Sequence, residues 1–168
     1  TVTPASGQFF PAGSVQNVTA TANSGFTFAN WTGAVANANA AATTVTMTGP
    51  ISVTANFTAE VAITVTTNPP GLTIIVDGNT LTAPQVFNWT PGSNHTIATT
   101  TPQGSGGTRR VFSTWSDSGA IAHVIVAPAT ATTFTANFNT EFQLTIAASP
   151  ANGGNVTPAS GTFFPSGS

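Results

Sequence analysis

Apolar and polar residues alternate with a period of two along most of the chain. In Val18-Thr-Ala-Thr-Ala22, Val45-Thr-Met47, Ile51-Ser-Val-Thr-Ala55, Ile63-Thr-Val65, Phe134-Thr-Ala136 and Leu144-Thr-Ile146, every second side chain falls on one face. Such alternation marks half-buried β-strands. Thr recurs as the outward residue because its β-branch suits the pleat while its hydroxyl faces water. Turn chemistry separates the runs: Asn68-Pro-Pro-Gly71, Asp77-Gly78, Pro91-Gly92, Asn152-Gly-Gly154 and Gly49-Pro50 supply the fixed φ of Pro and the positive φ open to Gly and Asn. Val76-Asp-Gly-Asn79 predicts a hairpin with a type I′ turn. The stretch from Ala34 to Ala42 is rich in Ala and Asn and is read as a loop, since Asn is a poor residue for a helix interior. The pattern predicts an all-β chain of tandem antiparallel β-sandwich modules, each of about six to seven strands with turn signals every 8–12 residues.

The alternating runs also recur as a set. Residues 155–168 repeat residues 1–14 with three substitutions at an offset of 154 residues, so that Thr3-Pro-Ala-Ser-Gly7 returns as Thr157-Pro-Ala-Ser-Gly161. A weaker echo lies inside this period: Ala55-Asn-Phe57, Glu60 and Val61-Ala-Ile-Thr-Val65 return 81 residues later as Ala136-Asn-Phe138, Glu141 and Phe142-Gln-Leu-Thr-Ile146. Phe10-Pro-Ala-Gly-Ser14 aligns with Trp89-Thr-Pro-Gly-Ser93, and Phe28-Ala-Asn-Trp31 with Phe112-Ser-Thr-Trp115. Self-similarity at fixed spacing is the signature of a repeat array. The expected organisation is a module A over 1–59 lacking its first strands, a complete module B over 60–140, and the first strands of the next module A over 141–168.

Only 4% of residues are charged and the formal net charge is −2, which leaves no basic patch for nucleic acid or anionic lipid. With 40% apolar residues the chain has the material to bury cores. No apolar run approaches the roughly 18 residues of a membrane span, so no membrane insertion is expected in this segment. Cys is absent, so modules near the lower size limit for a self-sufficient core have no covalent staple. Contacts between neighbouring modules are expected to help. Lys is also absent, which rules out a Lys–Asn isopeptide bond and Schiff-base chemistry.

Few residues remain for chemistry. Glu60 and Glu141 occupy the same repeat position and read as junction caps, and Asp77 belongs to its hairpin. Asp117 and His123 could approach each other across a hairpin, as a general base or as promoters of a Thr–Gln ester cross-link, but no nucleophile or oxyanion site accompanies them. The sparse Asp, Glu and His suit neither calcium nor zinc. No catalytic residue, metal or cofactor is expected. Phe10, Phe28, Trp31, Phe57, Phe112, Trp115 and Phe138 are the expected structural core, since an aromatic in so small a module serves best as its plug. Trp89 aligns with Phe10 rather than with a Trp, and it is the candidate for an exposed ligand-binding or inter-module contact. Of six Asn-x-Thr sequons, Asn17, Asn94 and Asn155 are the expected glycosylation sites.

These landmarks carry a resemblance. Phe9-Phe-Pro-Ala-Gly-Ser-Val15, Ala20-Thr-Ala-Asn-Ser-Gly-Phe26, Phe28-Ala-Asn-Trp-Thr-Gly33 and Val53-Thr-Ala-Asn-Phe57 resemble the divergent internalin-type B repeat. The run Asn68-Pro-Pro-Gly-Leu-Thr-Ile-Ile-Val-Asp-Gly78 with Pro91-Gly-Ser-Asn-His-Thr-Ile97 is similar to the PEGA surface domain. Phe112-Ser-Thr-Trp115 to Phe138 returns to the B-repeat pattern. The resemblance implies a secreted, surface-attached, non-catalytic module of a bacterial cell-surface protein. The expected function is a structural repeat of an extracellular stalk, fibre or filament whose partners are neighbouring copies of itself. The alternatives are a glycan-binding adhesin and a passive spacer in a large secreted enzyme.

Overall fold

The structure, a computed structural model, describes residues 1–167. It is all-β: fourteen strands and no helix occur among the described residues. The chain divides into two compact units, Thr1–Val61 with Asn88–Gly92, and Ala62–Phe87 with the chain from Ser93 on.

The first unit contains β1 (Val2–Thr3), β2 (Val15–Ala20), β3 (Phe26–Gly33), β4 (Ala42–Thr46) and β5 (Val53–Ala59). They form two antiparallel sheets, β1-β2-β4 and β3-β5. The predicted alternation is realised in β2, where Val18 and Ala20 point inward, and in β4, where Val45 does. These three side chains and Trp31 make up the buried cluster, and Phe28, Met47, Val53, Ala55 and Phe57 pack half-buried against it. The segment at 34–41 is irregular, without a helical turn.

The second unit is larger. Its strands are β6 (Val61–Asn68, all but its first residue), β7 (Thr73–Val76), β8 (Asn79–Thr82), β9 (Gln85–Trp89, all but its last two residues), β10 (Asn94–Thr99), β11 (Thr108–Trp115), β12 (Ala122–Val126), β13 (Thr132–Gln143) and β14 (Phe163–Pro165). One sheet has the order β12-β10-β7-β8, the other β11-β13-β6-β9, with β14 also pairing β13. The β7–β8 hairpin turns on Asp77 (φ 48°) and Gly78 (φ 79°), the two positive φ values a type I′ turn requires. One pairing departs from the antiparallel expectation: β6 runs parallel to β13, with Ile63 opposite Thr132 and Val65 opposite Phe134. Parallel neighbours need a long connection between them, and β6 and β13 stand near the two ends of this unit. The inward face of β6 is the centre of the core, with Ile63 and Val65 both 0% exposed.

The two units build the same aromatic cluster. In the first, the Phe28 ring lies 6.0 Å from Trp31 at 55° and 6.1 Å from Phe57 at 80°. In the second, Phe112 lies 6.4 Å from Trp115 at 55° and 5.9 Å from Phe138 at 79°. These are the tilted and edge-on arrangements that aromatic pairs prefer. Each indole N–H donates to a backbone carbonyl, Trp31 to Ala40 at 3.0 Å and Trp115 to Ile121 at 3.2 Å. Both strand pairs also slip by one residue at the same place, between Phe28 and Asn30 in β3 and between Phe112 and Thr114 in β11. A β-bulge bends its strand and re-aims the side chains beyond it, and here each bulge precedes the buried Trp.

Candidate functional site

The polar side chains best placed for chemistry lie in the second unit, in two Asp–His pairs. Asp117 and His123 come together: Asp117 Oδ2 is 2.9 Å from His123 Nε2, and Asp117 Oδ1 accepts from the Gly119 amide at 3.1 Å. His123 Nδ1 lies 2.7 Å from the Ala120 carbonyl, and its ring stands edge-on to Trp115 at 5.9 Å. With a carboxylate on one ring nitrogen and a carbonyl on the other, neither is open to a substrate proton. A Cβ on Gly119 would collide with the His123 ring, so the close turn is itself a reason for glycine there. The pair fastens the 116–120 turn over the aromatic cluster.

The other pair was not legible in the sequence. Asp77 Oδ2 is 2.7 Å from His95 Nδ1, and His95 Nε2 is 2.9 Å from Ser93 Oγ. With its proton on Nδ1, His95 donates to Asp77 and accepts from the Ser93 hydroxyl, the atom order of a hydrolytic relay. Acyl transfer also needs a preorganised set of oxyanion donors and a seat for the reacting carbonyl. What the contacts do here is structural. Asp77 Oδ1 accepts from the Thr96 amide at 2.8 Å, and the Asp77 amide donates to the Thr96 carbonyl at 2.9 Å. The carboxylate therefore straps the hairpin turn to β10. The only sequence signal was that Asp77-Gly78 and Pro91-Gly92 are both turns; no motif spacing joins Ser93 to Asp77.

Both Asp carboxyls respond in the same direction. Burial pushes Asp77 up, but the hydrogen bond with His95, the Thr96 amide and the charge of His95 outweigh it and hold the group below its ordinary value of 3.8. Burial likewise raises Asp117, and His123 with the Gly119 amide brings it below 3.8.

Elsewhere, Glu141 stands opposite Arg109 on paired strands, and Arg109 Nε donates to its Oε2 at 2.7 Å. The Arg109 guanidinium also covers the Phe163 ring at 4.2 Å, which pins β14 beside β13. Glu60, at the same repeat position, donates its amide to the Gly25 carbonyl at 2.9 Å. Gln103, the glutamine beside a Thr hydroxyl in this unit, points its amide nitrogen at Thr99 Oγ1 (3.1 Å), while that hydroxyl donates to the Thr73 carbonyl. The hydroxyl thus faces the amide nitrogen and has its proton engaged elsewhere. No group of three or more His, Cys, Asp or Glu able to hold a metal occurs among the described residues.

Trp89 does not offer the exposed platform expected of it: its side chain is buried, 7% exposed, leaving little indole face for a sugar. Trp31 and Trp115 are 2% and 1% exposed, Phe138 is buried, and Phe10, Phe28, Phe57 and Phe112 are half-buried. Asn17, Asn94 and Asn155 are all exposed.

One opening in the first unit is a groove of about 440 Å³ beside β5. Gln8 and Phe10 form one wall, Ile51, Val53 and Ala55 the other, and buried Val45 also lines it. Residues 8–10 form no strand and Phe9 is 100% exposed. No charged residue lines this groove.

Residues 1–61 match the family model of the divergent InlB B-repeat domain. The match spans the first unit up to the start of β6. No curated protein and no solved structure matches the chain.

Proposed function

We propose that this chain is a non-catalytic structural segment of an extracellular surface stalk, fibre or filament, built from modules stacked in tandem and helped by strands that neighbouring copies supply. The observation that carries the reading is the cluster built twice. The same Phe, Trp and Phe, with matching distances, ring angles and strand bulges, recur in two units, and the opening sequence recurs at 155–168. A repeat that spends its aromatics on an identical core each time is specified for shape, and stacking is what such repeats do. The surface supports the same reading: outward positions are largely Thr, Ser and Asn, with only 4% of residues charged, so strand edges carry little of the charge that normally blocks pairing. Partners of this module are other copies of itself, and the family match over 1–61 agrees with a repeat unit. Immunoblotting of fractionated cells with an antibody against the chain tests the proposal. The protein is expected in the surface and medium fractions, and recovery in the cytoplasm alone would overturn it.

A further inference from the structure

The two strands at the middle of the second unit's larger sheet are also the two through which tension on the chain crosses that unit. The chain enters the unit by β6, and its last long strand is β13. One residue, Glu60, separates the end of β5 from the start of β6, and its amide is held by the Gly25 carbonyl. A pull on the first unit therefore reaches β6 with no slack. At the other end β13 continues to Gln143, where β14 pairs with it over three residues. So short a pairing yields before the long ones and passes the pull to β13.

The direction of that pull follows from the pairing. β6 and β13 are parallel, from Ile63 opposite Thr132 to Asn68 opposite Asn137, so both starts lie at one end of the sheet and both finishes at the other. A pull back on the start of β6 and forward on the finish of β13 runs along the strands in opposite senses. The strands part only by sliding, and all six residue pairs are strained together. In an antiparallel pair, such as β11 with β13, the start of one strand lies beside the finish of the other. Such a ladder opens one pair at a time. Sliding is further opposed by what surrounds the pair. β9 lies beside β6 and β11 beside β13, so neither strand is an edge. Ile63, Val65 and Thr67 on β6 and Phe134, Ala136 and Phe138 on β13 are all buried, and a slip of one residue would carry an inward set to the opposite face.

We propose, resting on the stalk or fibre reading above, that the β6–β13 pair is a mechanical clamp. The second unit bears tension along the chain, and the parallel pair sets the force at which the unit opens. Forced unfolding is governed by the barrier to opening rather than by equilibrium stability, and that barrier depends on the direction of the pull. One folded chain is therefore strong along the strands and weak across them.

The test uses the 168-residue chain, which has no cysteine of its own. Ala62, Ala131 and Asn139 are exposed, so cysteines substituted there can carry the DNA handles of an optical trap. Ala62→Cys with Asn139→Cys pulls β6 at its start and β13 beyond its pairing with β6, the sliding direction. Ala62→Cys with Ala131→Cys pulls both strands at their starts and opens the ladder from one end. At the same pulling speed the first chain should unfold at about threefold higher force, because the whole ladder resists at once rather than its end pair alone. Equal forces, or the higher force for the chain pulled at both starts, overturn the clamp. Either result leaves the surface location to its own test by fractionation. Recovery in the cytoplasm alone would instead remove the stalk while leaving the directional strength of the fold as measured.

Discussion

Ile63 and Leu144 occupy the same position of the repeat, 81 residues apart, in opposite environments, and truncating each to Ala isolates the value of that environment. Ile63 is 0% exposed in the core of the second unit, on β6 opposite Thr132 of β13. Removing three carbons there costs the transfer energy and leaves a cavity, about 2–5 kcal/mol in total. Taking about 3 kcal/mol, and about 4–8 °C per kcal/mol for a domain of this size, the melting midpoint should fall by roughly 12–24 °C. Leu144 is 38% exposed and outside any strand, so Leu144→Ala should cost under about 1 kcal/mol, near the range of surface changes. The assay is thermal and urea unfolding followed by near-ultraviolet circular dichroism, which reports the Trp environments, at concentrations where the chain is monomeric. Ile63→Ala costing under 1 kcal/mol, or Leu144→Ala costing as much as Ile63→Ala, would refute the placing of Ile63 in the core and of Leu144 at the surface.

Acid should weaken the fold through Asp77 and Asp117. Both carboxyls sit below 3.8 in the folded chain, so the unfolded chain binds protons first as pH falls. Their contribution is complete above the ordinary value and is lost as pH drops through the lowered folded values, so the urea midpoint should fall between about pH 5 and pH 2. The double variant Asp77→Asn and Asp117→Asn should flatten that slope, and an unchanged slope would discount both pairs. Ser93 should remain unlabelled by a fluorophosphonate probe despite its hydrogen bond to His95, with labelling detected by mass spectrometry counting against the structural role of the relay. Gly33→Ala should destabilise more than Gly78→Ala. Both glycines have positive φ, costing an alanine about 1 kcal/mol, but a Cβ at Gly33 would also sit 2.5 Å from the Ser52 carbonyl while Gly78 faces open space. Equal urea midpoints for the two variants would contradict that packing.

Local patterns in the sequence mapped directly onto local structure. Period-two runs at 18–22, 45–47 and 63–65 lie in or against β2, β4 and β6, and Asp77-Gly78 forms its hairpin turn, because strand faces and tight turns are fixed by residues next to one another. The all-β class followed from the same signals. What escaped depends on distant pairing. The parallel register of β6 and β13 joins residues about 70 apart, and alternation is the same for parallel and antiparallel neighbours. The bulges beside Ala29 and Ser113 are one-residue slips between partners, with no glycine to mark them. Ser93, His95 and Asp77 meet only because two turns abut. Trp89, read from its alignment with Phe10 and the Pro-Gly turn after it as an exposed or inter-module contact, is buried; alignment gives a position in the repeat and not the neighbours that cover it.

The claim on which these readings rest is that the chain is a building unit repeated for shape. Negative-stain electron microscopy of surface material from the producing cell, with gold-labelled antibody against this chain, tests it most directly. The account predicts label spaced regularly along fibres, at an axial period set by one pair of modules. Label confined to isolated globular particles, with no fibre and no period, would contradict it.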